Sequence, residues 1–88
     1  MTKKAIRFTA PWCGPCKSYA PVFTKVSEEN SDWTFESINV DTDPTNSEKY
    51  GIRSIPATII EIDGEVVDKV VGVLSSNQLQ EKLHEWSK

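Results

Sequence analysis

Cysteine and histidine are scarce in this chain: its 88 residues hold two cysteines and a single histidine, His84. A structural zinc site takes four ligands, usually as two spaced pairs, so on this count no metal site is expected. Small secreted domains are stapled by several bridges, for which one cysteine pair is too few. Long apolar runs are missing as well. Nothing approaches the roughly 18 residues that a membrane span needs. Lys3 and Lys4 could open a signal peptide, but no apolar stretch of about 7 to 15 residues follows them. Repeats, low-complexity tracts and internal linkers are absent, so residues 1–88 read as one domain. A net charge of -3, with 26% charged and 38% hydrophobic residues, is ordinary for a globular protein and leaves no basic footprint for nucleic acid. The expectation is a cytoplasmic monomer with neither nucleic acid nor membrane as a partner.

What the chain does have is Trp12-Cys13-Gly14-Pro15-Cys16-Lys17, with its cysteines three positions apart. Before it, Ile6 to Ala10 is a short apolar run ended by Pro11. After it, Tyr19, Val22, Phe23 and Val26 recur at i, i+3, i+4 and i+7, one face of a helix. The helix therefore begins at or beside Cys13, where free backbone N–H groups and the positive end of the helix dipole favour a thiolate. Such a thiolate attacks disulfides near neutral pH, and a thiol one turn later can close onto the mixed disulfide. A C-x-x-C pair by itself also fits zinc or a structural bridge. Zinc lacks ligands here, and a bridge between residues so close closes too small a loop to remove much unfolded-chain entropy.

Ala5 to Ala10 reads as a first strand, followed by a helix to about Asn30. A kink is expected near residues 17–21, because Pro21 removes a backbone bond and crowds the preceding turn. Trp33 to Val40 reads as a second strand. Asp41-Thr42-Asp43-Pro44 is a turn without the remaining ligands of a calcium loop. A short helix over Thr45 to Tyr50 closes at Gly51. Ala57 to Ile62 is a third strand headed by Pro56, Asp63-Gly64 a hairpin turn, and Val66 to Val71 a fourth strand. Ser75 with Gln78 makes a capping box and Leu74 with Leu79 a hydrophobic staple, while Leu79, Leu83 and Trp86 form the stripe of a last helix. His84 lies off that stripe and reads as solvated; Trp33 and Trp86 read as packing residues. The order β-α-β-α-β-β-α implies an α/β fold: a four-stranded mixed sheet flanked by helices, with a parallel pair joined by a right-handed crossover and then an antiparallel hairpin.

Taken together, these residues resemble the thioredoxin family. The shared pattern is Phe8-x-Ala10-x-Trp12-Cys13-Gly14-Pro15-Cys16-Lys17, Pro21, Asn39-x-Asp41, Lys49-Tyr50-Gly51-Ile52-Arg53-Ser54-Ile55-Pro56, Gly64-Glu65 and Gly72. The resemblance implies a minimal thioredoxin fold without the family's first strand and helix. It implies Cys13 as the attacking thiol and Cys16 as the resolving thiol, supported by Trp12, Gly14, Pro15, Lys17 and a cis Pro56. Trp12, Ile55, Pro56 and Gly72 would line a groove for an extended substrate segment. The implied activity is reduction of protein disulfides, with no bound cofactor and electrons supplied by a flavin-dependent, NADPH-driven thioredoxin reductase. Two other readings stay open. One is a glutaredoxin-like redoxin reduced by glutathione, which length favours and the Gly-Pro motif does not. The other is a non-catalytic binding subunit that uses only the groove.

Three positions depart from the family's pattern. Arg7 stands where a buried Asp is usual, Ser37 where a Lys lies across the sheet, and Thr9 where an aromatic is common. Alternation groups Arg7 with Ala5 and Thr9, opposite Ile6 and Phe8, and the resemblance puts it behind Cys16 as active-site support. A buried, unpaired guanidinium costs several kcal/mol, so Arg7 is expected to reach solvent along its stem or to meet a carboxylate. It cannot accept a proton as an Asp does. Trp33 to Val40 is expected at a sheet edge, with Glu36 and Glu61 exposed on a thinly covered face. Cys13 is expected to be accessible and Cys16 shielded.

Overall fold

The computed structural model describes residues 2–87. These fold in the order β1 (Lys3–Thr9), α1 (Gly14–Glu29), β2 (Thr34–Asn39), α2 (Pro44–Lys49), β3 (Ala57–Ile62), β4 (Glu65–Val71) and α3 (Ser76–Glu85). The strands form one sheet, β2-β1-β3-β4. β1 and β2 are parallel, with Arg7 opposite Ser37, while β1 with β3 and β3 with β4 are antiparallel. This is the α/β fold and mixed sheet that the sequence pattern implies, with element ends shifted by a residue or two. β1 extends back through Lys3 and Lys4, whose ammonium groups pair with Asp32 at 2.6 Å and Glu36 at 3.3 Å. α2 starts at Pro44, because a missing N–H costs nothing in a first helical turn and the Asp43 carboxylate caps it by accepting the Asn46 N–H at 3.3 Å. Trp33 drops out of β2 and packs into the core.

Alternation splits the central strands between two faces. Ala5 and Ile60 face Tyr19, Phe23 and Val26 of α1 and Leu79 and Leu83 of α3. Ile6, Phe8, Ala57 and Ile59 face the other way, under Ile38, Val40, Tyr50, Ile52 and Ile55. Each large apolar side chain so buried contributes about 1.5–3 kcal/mol, so the stripes of α1 and α3 do most to hold these helices down. α1 continues through Pro21, which lies on its exposed side, where the carbonyl that loses its partner can meet water. The Asp63-Gly64 turn has φ of +53° and +82°, the two left-handed positions a two-residue hairpin of this twist demands.

β2 lies at a sheet edge, as expected, and Glu36 is exposed beside Lys4. Glu61 corrects the expectation. Only 7% of it reaches solvent, and its carboxylate accepts a hydrogen bond from the Tyr50 hydroxyl. That bond pushes the Tyr50 phenol up to about 12. Tyr50, just past α2, thus closes over a carboxylate near the end of β3 that alternation alone leaves bare.

Candidate active site

The sulfur pair sits where β1 hands over to α1. Cys13 N–H donates to the Ala10 carbonyl at 3.2 Å, and Cys13 then takes the extended backbone of an N-cap, with φ of -91° and ψ of 108°. Its Sγ accepts the Cys16 N–H at 3.2 Å. A thiolate at Cys13 therefore meets both a backbone donor and the helix N-terminus. Gly14 and Pro15 fill the first turn, where proline's lost N–H is harmless. Cys13 and Cys16 are joined in a disulfide with Cα atoms 5.2 Å apart. The expected contrast in accessibility has the right direction but not the expected extent. Cys13 is 5% exposed and Cys16 1%, because Ala10, Val40 and Ile55 pack around the oxidised pair.

Across from the sulfurs runs the chain between α2 and β3. The Ile55–Pro56 peptide is cis, and the Ile55 carbonyl oxygen lies 3.9 Å from Cys13 Sγ. The Pro56 carbonyl accepts the Gly72 N–H at 2.8 Å. Gly72 has φ of +104°, a conformation that glycine adopts at no steric cost. Ile55 thus borders the disulfide, and Gly72, bonded to the adjoining Pro56, lies between exposed Val71 and Val73. Trp12 is 67% exposed, and its indole N–H donates to Asp41 Oδ2 at 2.8 Å. Sequence reasoning misses this role of Asp41, which it reads as part of a turn and of the shared Asn39-x-Asp41 pattern without giving it a partner. No local signal marks it, since the bond joins two separate loops.

Behind Cys16 lies a cleft of about 290 Å³, lined also by Arg7, Thr9, Lys17 and Asn39. Of its two expected courses Arg7 takes the first in part, meeting no carboxylate and keeping its head in an open cleft. It is half-buried, and its Nε and one Nη both donate to the hydroxyl of Ser37 at 3.1 Å, while its Cζ sits 5.6 Å from the centre of the Phe23 ring. The parallel register makes the pair, since Ser37 is the residue opposite Arg7 on β2. Burial lowers the guanidinium pKa and the neighbouring Tyr19 phenol partly offsets this, but an arginine stays cationic at any physiological pH. Tyr19, whose own phenol burial pushes up, shares a 2.7 Å hydrogen bond with Thr58.

Two sulfurs able to close and reopen a bond at the start of a helix make this protein a thiol-disulfide oxidoreductase. The family model described as Thioredoxin matches residues 2–85. The thioredoxin of Mycoplasmoides gallisepticum is 43% identical over 81 residues, covering 92% of this chain and 81% of that protein. Among solved structures, Fasciola hepatica thioredoxin superposes with a TM-score of 0.90 at 27% identity, covering 96% of this chain and 80% of that one. Mitochondrial thioredoxin 3 of Saccharomyces cerevisiae, in its oxidised form, gives a TM-score of 0.88 at 29% identity over 94% of this chain and 77% of that one. The chain belongs to the thioredoxin family. Among the described residues, no helix is long and apolar enough to cross a membrane.

Proposed function

We propose that the protein reduces disulfide bonds of other proteins through a Cys13–Cys16 dithiol–disulfide cycle. The Cys13 thiolate attacks one sulfur of the substrate disulfide, giving a mixed disulfide and the first product thiolate. Cys16 then attacks the Cys13 sulfur, the second product thiolate leaves, and the Cys13–Cys16 disulfide remains. Two electrons pass from the protein's sulfurs to the substrate's, and the two thiol protons reach the products through solvent. The observation that carries this reading is the place of Cys13 as N-cap of α1, its sulfur accepting the Cys16 N–H at 3.2 Å. Ile55, Pro56 and Gly72, with exposed Trp12, supply the groove for an extended substrate segment. Gly14 and Pro15 shape the turn between the sulfurs, and Lys17 lines the cleft behind Cys16. A flavin-dependent, NADPH-driven thioredoxin reductase returns the electrons to a cytoplasmic monomer that carries no cofactor of its own.

The test is reduction of insulin disulfides, followed by turbidity, with thioredoxin reductase and NADPH in one arm and glutathione with its reductase in the other. Turbidity is expected in the first arm only, and Cys13→Ser should abolish it. Turbidity in the glutathione arm alone would make the protein a glutathione-driven redoxin. Turbidity in neither, with partner binding retained by a Cys13→Ser/Cys16→Ser double variant, would assign it a binding role.

A further inference from the structure

Before Cys16 can attack, its proton has to leave, and the surroundings of that sulfur govern how readily it does. Charge in the cleft behind it comes from Arg7 of β1 and Lys17 of α1, whereas Thr9 and Asn39 are neutral and no carboxylate lines the space. Asp41, on the adjoining loop, is taken up by the Trp12 indole. Tyr19, which faces Arg7 from α1, is bonded to Thr58 of β3. Among the described residues, Arg7 forms no ion pair: both of its hydrogen bonds end on the neutral Ser37 hydroxyl. Its positive charge therefore has no bonded counter-charge in a partly desolvated cleft that Cys16 also lines. Such a charge favours the thiolate, and a permanent cation cannot take the proton itself.

Resting on the disulfide-reducing cycle above, we infer that Arg7 is a positioning residue for the resolving step. Its guanidinium, anchored by Ser37 and Phe23, holds Cys16 as a thiolate in the mixed disulfide while the thiol proton passes through the cleft to water. The thiolate then forms a bond to Cys13 Sγ, the bond between Cys13 and the substrate sulfur breaks, and the electron pair leaves on that sulfur, which takes a proton from solvent. Cys13 does not line the cleft, and its own thiolate is favoured by the Cys16 N–H and the start of α1. The initial attack therefore depends less on Arg7 than resolution does.

The reduced full chain, mixed in a stopped-flow instrument with one equivalent of dithiobis(nitrobenzoate), releases one coloured thiolate when Cys13 attacks and a second when Cys16 resolves. Rates of both phases are taken as a function of pH for the wild type, Arg7→Met and Arg7→Lys. In Arg7→Met the midpoint of the second phase is expected to rise by about one pH unit, slowing it about tenfold at pH values well below the wild-type midpoint, with the first phase less affected. Arg7→Lys should restore most of the rate. A wild-type midpoint in Arg7→Met, or equal slowing of both phases in Met and Lys variants, would overturn the inference. If Arg7→Met does not fold, Arg7→Gln, which keeps donors but not charge, carries the same comparison. A wild type that never releases the second thiolate would sink the dithiol cycle itself, whereas a two-phase wild type with unshifted variants removes only Arg7.

Discussion

Cys13 and Cys16 have the same side chain, and they differ because α1 begins between them. Cys13 is the N-cap, with its sulfur toward the Cys16 N–H, while Cys16 lies inside the first turns and faces the cleft. After reduction, iodoacetamide at neutral pH should label Cys13 first, with Cys16 modified only on unfolding. Peptide mapping checks this, and early labelling of Cys16 would reverse the assigned roles. Arg7 shows how far a residue can be read from sequence. A cation inside the otherwise uncharged run from Ala5 to Ala10 is visible as an anomaly, but its partner depends on how β1 registers against β2. A hydroxyl, rather than a carboxylate, turned out to be there.

At the scale of the element, α3 is the helix most fully specified by its own residues. The Gln78 N–H donates to Ser75 Oγ at 3.1 Å and the Ser75 N–H to Gln78 Oε1 at 2.9 Å, while Leu74 and Leu79 are both buried. Ser75→Ala should cost about 1 kcal/mol and lower the melting temperature by about 4–8 °C. Ser76→Ala, one position on, is the control. Equal melting of both variants would mean that the cap does not hold the helix. α2 is the contrasting case. It has six residues and none of them is buried, so it depends on Asp43 at one end and on the packing of Tyr50 just beyond the other.

Across the whole molecule, β4 is tied to α3 through one carboxylate. Asp68 accepts the Trp86 indole N–H at 3.2 Å and the Lys82 ammonium at 3.1 Å. Burial alone would raise its pKa, but these donors outweigh burial and hold it below the ordinary value, while the same bond raises Lys82. An Asp with a depressed folded pKa adds stability that is present above its unfolded value, about 3.9, and is lost as pH falls through the folded value. Urea midpoints should therefore fall between neutral pH and about pH 3, and fall less in Asp68→Asn, which is the weaker protein at neutral pH. If both proteins lose the same amount, Asp68 is not a source of acid sensitivity.

The sequence by itself determined those features whose partners lie within a turn or two of chain. The capping box, the Asp63-Gly64 hairpin, the apolar stripe of α1 and the pairing of two thiols at a helix start are all of this kind. Their chemistry is local, so few alternatives compete. Only the tertiary structure decided which distant residues meet: Trp12 with Asp41, Tyr50 with Glu61, Arg7 with Ser37. Each has several partners of similar chemistry along the chain, and the choice among them follows from strand register and from how loops fold back on the sheet. The cleft behind Cys16 belongs to this second group, because β1, α1 and the end of β2 enclose it together and none of them encodes it alone.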